Sequence, residues 1–194
     1  MKVAVLNEAG YHEAMLGLSL SFQQPIKKMP IVAKRLAAKG EPHCKFLRQM
    51  VVWMDIEAPW YWWKHMATYR IGVETQSSST MHKLLAKPLA QGDFESPIFD
   101  VLLTEINALI AAGDLRGASN ILPGGFLYRR IVMASYSALR NIFWQRYDHR
   151  LDHEWRLFIK SIRDQIIYPD LLGYPDQVII DDGSPTIGRA KHVS

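Results

Sequence analysis

Leu139, Phe143, Arg146 and Arg150 recur at helical spacing in the segment SYSALRNIFWQRYDHR, so two guanidinium groups prolong an apolar stripe. A charge placed there needs a carboxylate, a water-filled cleft or a bound anion, because burying it unpaired is costly. Asp148 and Asp152 are near in sequence but fall on other faces of an ideal helix. The preceding segment FLYRRIVM repeats the theme at strand spacing. Leu127, Arg129, Ile131 and Met133 share one side, and Phe126, Tyr128, Arg130 and Val132 share the other. Each side is apolar apart from one arginine, so at least one guanidinium turns into the body or a cleft. The planar fork of arginine suits phosphate or carboxylate; an internal salt bridge or a snorkelling side chain is the alternative. A hydroxyl run, Ser77, Ser78, Ser79 and Thr80, binds phosphate if a helix starts near Met81, or simply caps that helix in a solvated turn.

Other chemistries find less support. His149 and His153 are four apart, but the stretch between them lacks the glutamate of H-E-x-x-H and no third ligand is evident, so they read as a surface helix and no metal is expected. Cys44 follows His43, yet sequence adjacency does not make a catalytic pair. There is no Walker loop, no G-x-G-x-x-G and no G-x-S-x-G. The aromatic run Trp60 to Trp63 suits a core or a subunit interface better than a base-stacking platform.

The elements that must position these residues form a mixed order. MKVAVL reads as a short strand, YHEAMLGLSLSF as a helix, and IVAKRLAAKG after Pro30 as a helix stopped by Gly40. Residues 49–57 alternate as a strand with at least one covered face, and Pro59 opens a helix through Met66. Residues 96–112 read as a helix with Ser96 as N-cap and Pro97 at its first position. A short helix, the break LPGG, the arginine-bearing strand and a long helical stretch interrupted near Asp148 follow. No βαβ alternation repeats, which predicts an α+β fold. Residues 1–168 read as one domain and 169–194, rich in Pro, Gly and Asp, as a loose tail.

The chain of 194 residues can bury a real core, with 48% hydrophobic and 22% charged residues. No apolar run approaches the ~18 residues of a membrane span, and the N-terminus meets Glu8 too soon for a secretory signal. A single cysteine excludes an internal disulfide and suits a reducing, cytoplasmic setting. A net charge of +4, scattered rather than blocked, favours anionic partners without implying nucleic acid.

The pieces from His43 to Leu84 and from Leu122 to Arg146 resemble the flavin-dependent thymidylate synthases, whose hallmark is R-H-R, seven residues, then Ser. Thr68-Tyr69-Arg70 stands at R-H-R and Ser78 on the motif serine; Ala58-Pro59, His43 and Leu122-Pro123 fit in order and spacing. The resemblance covers about half the chain. It places Arg129 and Arg146 on the two arginines that bind the deoxyuridylate, and Asn141 on an asparagine near the flavin. It implies an α+β fold with a mixed or antiparallel sheet and a helical layer, homotetramers with sites shared between subunits, and conversion of dUMP to dTMP. Methylenetetrahydrofolate would supply the carbon, and FAD reduced by NADPH the hydride, with no cysteine nucleophile. With the helix-face reading, the resemblance assigns Ser78 and Arg146 to catalysis. Substrate contacts fall to His65, Ser78, Ser79, Arg129, Arg146 and Arg150, and cofactor contacts to His43, Arg70, Gln76 and Asn141.

The chain departs from the pattern at Thr68 and Tyr69, which replace the flavin-side Arg and His. Thr75-Gln76 replaces Asn-Glu and Thr80 replaces a substrate-gripping arginine. Lost cationic and amide contacts weaken FAD binding more than nucleotide binding. Three readings stay open: methylation of dUMP, folate-dependent hydroxymethyl transfer to a pyrimidine nucleotide, and a non-catalytic nucleotide-binding or oligomeric protein that reuses the fold.

Overall fold

The computed structural model describes residues 1–173. Four strands, β1 (Lys2–Ala9), β2 (Val51–Pro59), β3 (Val73–Ser77) and β4 (Leu127–Ser135), form one antiparallel sheet in the order β1-β2-β4-β3. Among the described residues eight α-helices accompany it: α1 (Tyr11–Phe22), α2 (Met29–Lys39), α3 (Trp60–Met66), α4 (Thr80–Ala86), α5 (Asp100–Ala111), α6 (Leu115–Ile121), α7 (Tyr136–Arg146) and α8 (Asp152–Gln165). This is the expected α+β architecture. Among the described residues no helix is long and apolar enough to cross a membrane.

The alternation in β2 decides which face is covered. Val52, Met54, Ile56 and Ala58 are fully buried, while Val51, Trp53, Asp55 and Glu57 on the other face stay partly open. Val132 and Ala134 of β4 join the covered face, and α1, α2, α3, α7 and α8 contribute Met15, Ala33, Trp62, Phe143 and Phe158 to the same core. A smaller cluster, Leu84, Leu89, Phe94, Ile106, Ala118 and Phe126, gathers α4, α5 and α6 beside the start of β4.

The hydroxyl run caps α4 through Ser79, as one of its two expected roles requires, but the segment leading into it is a strand its sequence does not announce. Residues Val73–Ser77 form β3, pairing Val73 with Ala134 and Ser77 with Arg130. Only Val73 is buried, so main-chain bonding rather than apolar alternation makes this strand. Helix α5 also begins later than Ser96 and Pro97 suggest, with Phe99 at its N-cap. The Gln91 side chain explains the delay: its amide donates to the Ile98 carbonyl at 2.9 Å and its Oε1 accepts from the Ile98 N–H at 2.9 Å, holding that segment extended. The long helical stretch breaks where expected, between α7 and α8. Leu171 and Leu172, assigned to a loose tail from sequence, are buried in the main core. The remainder of that tail, residues 174–194, lies outside the described residues.

Two details position the helices over the sheet. Gly72 has φ +70°, donates no side chain, and approaches so closely that a Cβ there would stand 2.6 Å from Ser135 Oγ. Ser135 in turn caps α7 by accepting the Ala138 N–H at 3.1 Å. At the other side of the sheet, Gln165 of α8 lies along β1: its Oε1 accepts from Val5 N–H at 2.9 Å and its amide donates to Val3 O at 3.1 Å.

Candidate functional site

The covered side of α7 is built from Tyr136, Leu139, Ile142 and Phe143, all buried, so its last turn delivers Arg146 at the edge of the core. Arg146 is half-buried. Its Nε donates to Tyr69 Oη at 2.7 Å, and its Cζ lies 5.4 Å from the Tyr69 ring centroid and 5.1 Å from that of Trp155. Two aromatic faces therefore hold the cation in place of a carboxylate. Tyr69 Oη donates onward to Gln145 Oε1 at 3.1 Å, and Gln145 Nε2 to Asn141 Oδ1 at 2.9 Å. Burial raises the Tyr69 pKa, partly offset by Arg146, so the phenol stays protonated and can donate.

The five-residue break after α7 brings His149 over the same aromatic group. Its ring lies 6.4 Å from Trp155 and 5.6 Å from His65 of α3, and its Nδ1 accepts the Leu151 N–H at 3.1 Å. Burial lowers the His149 pKa from its usual value, and Arg146, His65 and Arg150 lower it further. The charges that act on this imidazole are all positive. The nearby buried carboxylate, Glu154, is committed elsewhere: it accepts from Tyr61 Oη at 2.5 Å, and burial with this contact pushes the Tyr61 pKa up. Arg146 and Arg150 thus supply positive charge, and His65 and His149 imidazole nitrogens, on an aromatic floor, which is the chemistry of an anion site.

The structure brings Arg146, Arg150, His65 and Asn141 into this neighbourhood. It does not gather the others there. Arg129 lies on the open face of the sheet, its side chain 62% exposed, and forks onto Asp55 through Nε at 2.8 Å and Nη2 at 2.5 Å. The hydrogen bond from Arg129 holds the Asp55 carboxyl below its usual pKa. At that exposure solvent screens the pair, and it adds little to stability. Ser78 donates its hydroxyl to the Arg129 carbonyl at 3.1 Å, and Ser79 caps α4 by accepting the His82 N–H at 3.4 Å. His43, Arg70 and Gln76 are exposed on the loop after α2, the loop before β3 and β3 itself.

Sequence reasoning missed Tyr69, Gln145, His149 and Trp155 as parts of the cluster. Helical spacing could not have found Trp155, because the break at 147–151 re-aims α8. The partial signal was Tyr69, a bulky phenol where the resemblance expects an imidazole. Cys44 is fully buried, and burial raises its thiol pKa, so it is not poised as a nucleophile.

No protein-family model matches the chain, and no curated protein is similar to it in sequence. Solved structures do share its fold. A flavin-dependent thymidylate synthase from Helicobacter pylori, in complex with FAD and dUMP, superposes with TM-score 0.74 at 14% identity, over 89% of this chain and 98% of that one. A second structure of a thymidylate synthase from the same organism with the same ligands gives 0.74 at 13%, over 93% and 100%. A UMP/dUMP methylase from Streptomyces cacaoi, bound with 5-Br dUMP, gives 0.60 at 13%, over 84% and 88%. The chain therefore has the fold of the flavin-dependent thymidylate synthases.

Proposed function

We propose that this chain binds a pyrimidine nucleoside monophosphate and modifies the base at C5, with conversion of dUMP to dTMP as the leading reaction. The observation that carries the reading is Arg146, a half-buried guanidinium seated on Tyr69 and Trp155 with His65, His149 and Arg150 around it and no carboxylate partner among the described residues. It receives support from a fold shared with proteins solved with dUMP or its bromo analogue.

In this reading Arg146 and Arg150 hold the phosphate and His65 donates to the nucleotide. Ser78, beside Arg129, and Ser79 orient the uracil from a second copy in an assembly, with Ser78 as a polar group rather than an attacking one. Arg129 points away from Arg146, so it reaches a nucleotide only in an assembly where a second copy supplies the site, as the homotetramer implied by the resemblance would allow. For FAD, the fit rests on donor chemistry: His43, Arg70 and Gln76 present side-chain N–H groups that no described residue engages, and Asn141 keeps its amide N–H groups free while accepting from Gln145. FAD, reduced by NADPH, would supply the hydride, and methylenetetrahydrofolate the carbon. The chain's own residues contribute binding, orientation and exclusion of water. The inert setting of Cys44 agrees with a reaction that needs no protein thiol.

One observation favours a flavin-free variant of the reading. Tyr69, at the position of a flavin-side histidine, spends its hydroxyl on Arg146 and Gln145, and Thr68 spends its own on the His65 carbonyl at 2.8 Å. Nucleotide binding without FAD, with hydroxymethyl transfer or no catalysis, follows from that. Thermal-shift titration with dUMP and dCMP, with and without FAD, followed by tritium release from C5 of dUMP in the presence of the folate, separates the three. Arg146→Gln should weaken dUMP binding by at least about tenfold, as the loss of a charge-assisted contact requires, with little change in melting temperature. Wild-type protein that neither binds nor is stabilised by either nucleotide ends the proposal.

A further inference from the structure

Of the two strand arginines, Arg130 is the one that turns towards the helical layer, and nothing in the described protein answers its charge. Its Cζ lies 4.5 Å from the Trp63 ring centroid and 5.9 Å from that of Trp60. Stacking of this kind occupies the guanidinium face and leaves its in-plane N–H donors unused. Its Nε is buried with no acceptor, and Arg130 makes no hydrogen bond or ion pair among the described residues. Burial pulls its pKa below the usual arginine value, and no carboxylate raises it back. A side chain that merely snorkelled to water would keep that Nε wet.

Other groups adjoin the same ring and the same strand position. The Lys64 ammonium stands 6.0 Å from the Trp60 ring centroid, also without a carboxylate among the described residues. Ser77 sits directly across from Arg130 in the β3–β4 register, so its exposed hydroxyl shares that face of the sheet. Trp60, 38% exposed, forms an open rim. On α3, Trp60, Trp63 and Lys64 are spaced i, i+3 and i+4 and occupy one face, while His65, which meets the Arg146 cluster, lies on another.

We propose that Arg130, Lys64 and Ser77, on the Trp60 and Trp63 platform, form a second oxyanion site that takes a phosphate group, across α3 from Arg146. A forked guanidinium, a point-charge ammonium and a hydroxyl supply donors in several directions, which suits the tetrahedral oxygens of phosphate better than a planar carboxylate. The site stands independently of the nucleotide reading.

Titration of the purified protein with inorganic phosphate at constant ionic strength, read by tryptophan emission, tests it. The wild type should give a saturable change that sodium chloride does not reproduce. Arg130→Gln should weaken it by about tenfold and Lys64→Gln by about threefold, as loss of charge-assisted contacts predicts. Arg129→Gln should leave it intact, and a saturable response should persist in Arg146→Gln, which removes any phosphate binding beside Trp155. Arg130→Gln binding phosphate as the wild type does, an equal response to chloride, saturation by citrate but not phosphate, or loss of the response in Arg146→Gln would each overturn the proposal. If circular dichroism shows Arg130→Gln unfolded, Lys64→Gln decides, since it changes an exposed helix position: unchanged phosphate affinity refutes the site. Wild-type protein that ignores dUMP yet saturates with phosphate would remove the nucleotide reading and leave this one standing.

Discussion

His149 is the residue whose protonation should report on the Arg146 cluster. Its pKa is held down by burial and by Arg146, His65 and Arg150, so the free protein keeps it neutral near pH 7. A phosphate monoester placed among those cations reverses the sign of the field and raises that pKa. Binding should therefore take up a proton, and nucleotide affinity should rise as pH falls from 8 towards 6. Calorimetry in two buffers of different ionisation heat measures the uptake, and His149→Gln should abolish it while retaining binding through Arg146. Equal uptake by that variant would assign the proton to another group. This residue was visible in the sequence only as half of a His149/His153 pair. Its true neighbours, His65 and Trp155, come from α3 and α8, and no local spacing connects them.

At the scale of elements, most of the helices and three of the strands were legible because each carries its own apolar period. The fourth strand was not. In β3 every residue but Val73 is exposed, so its pairing with β4 leaves no mark in the side chains. The strand arginines show a different limit. Alternation established that one of Arg129 and Arg130 turns inward, but the choice belongs to β2, which sets Asp55 and Glu57 on the open face and Met54 and Ile56 on the covered one. Similarity by motif favoured Arg129, and the register turns Arg130 inward. Coupling between elements is also testable at Gly72. A methyl group there would press on Ser135 and meet a backbone at positive φ, so Gly72→Ala should cost about 1–3 kcal/mol through strain and loss of the α7 cap. Chemical denaturation measures this. Because α7 carries Arg146, the variant should also lose nucleotide affinity, whereas a purely local strain would spare it.

Across the whole molecule, two cores of unequal size predict uneven opening. The main cluster spans β2, β4 and five helices, whereas the smaller one rests on six buried side chains, with Ile106 the buried residue of α5. Hydrogen exchange followed by mass spectrometry should show the amides of α5 and α6 exchanging before those of β2 and β4. Simultaneous exchange would mean that the smaller cluster opens only with the rest. The sheet itself has a further property. Its β1 border is occupied by the Gln165 amide and interrupted by an irregularity between Val5 and Asn7; its β3 border is five residues long and almost wholly polar. Both margins are poor templates for a neighbouring strand. Among the described residues, the flat of the sheet and the helices are the surfaces left for copies of this chain to associate through, and a closed assembly is favoured over a fibre that grows by adding strands.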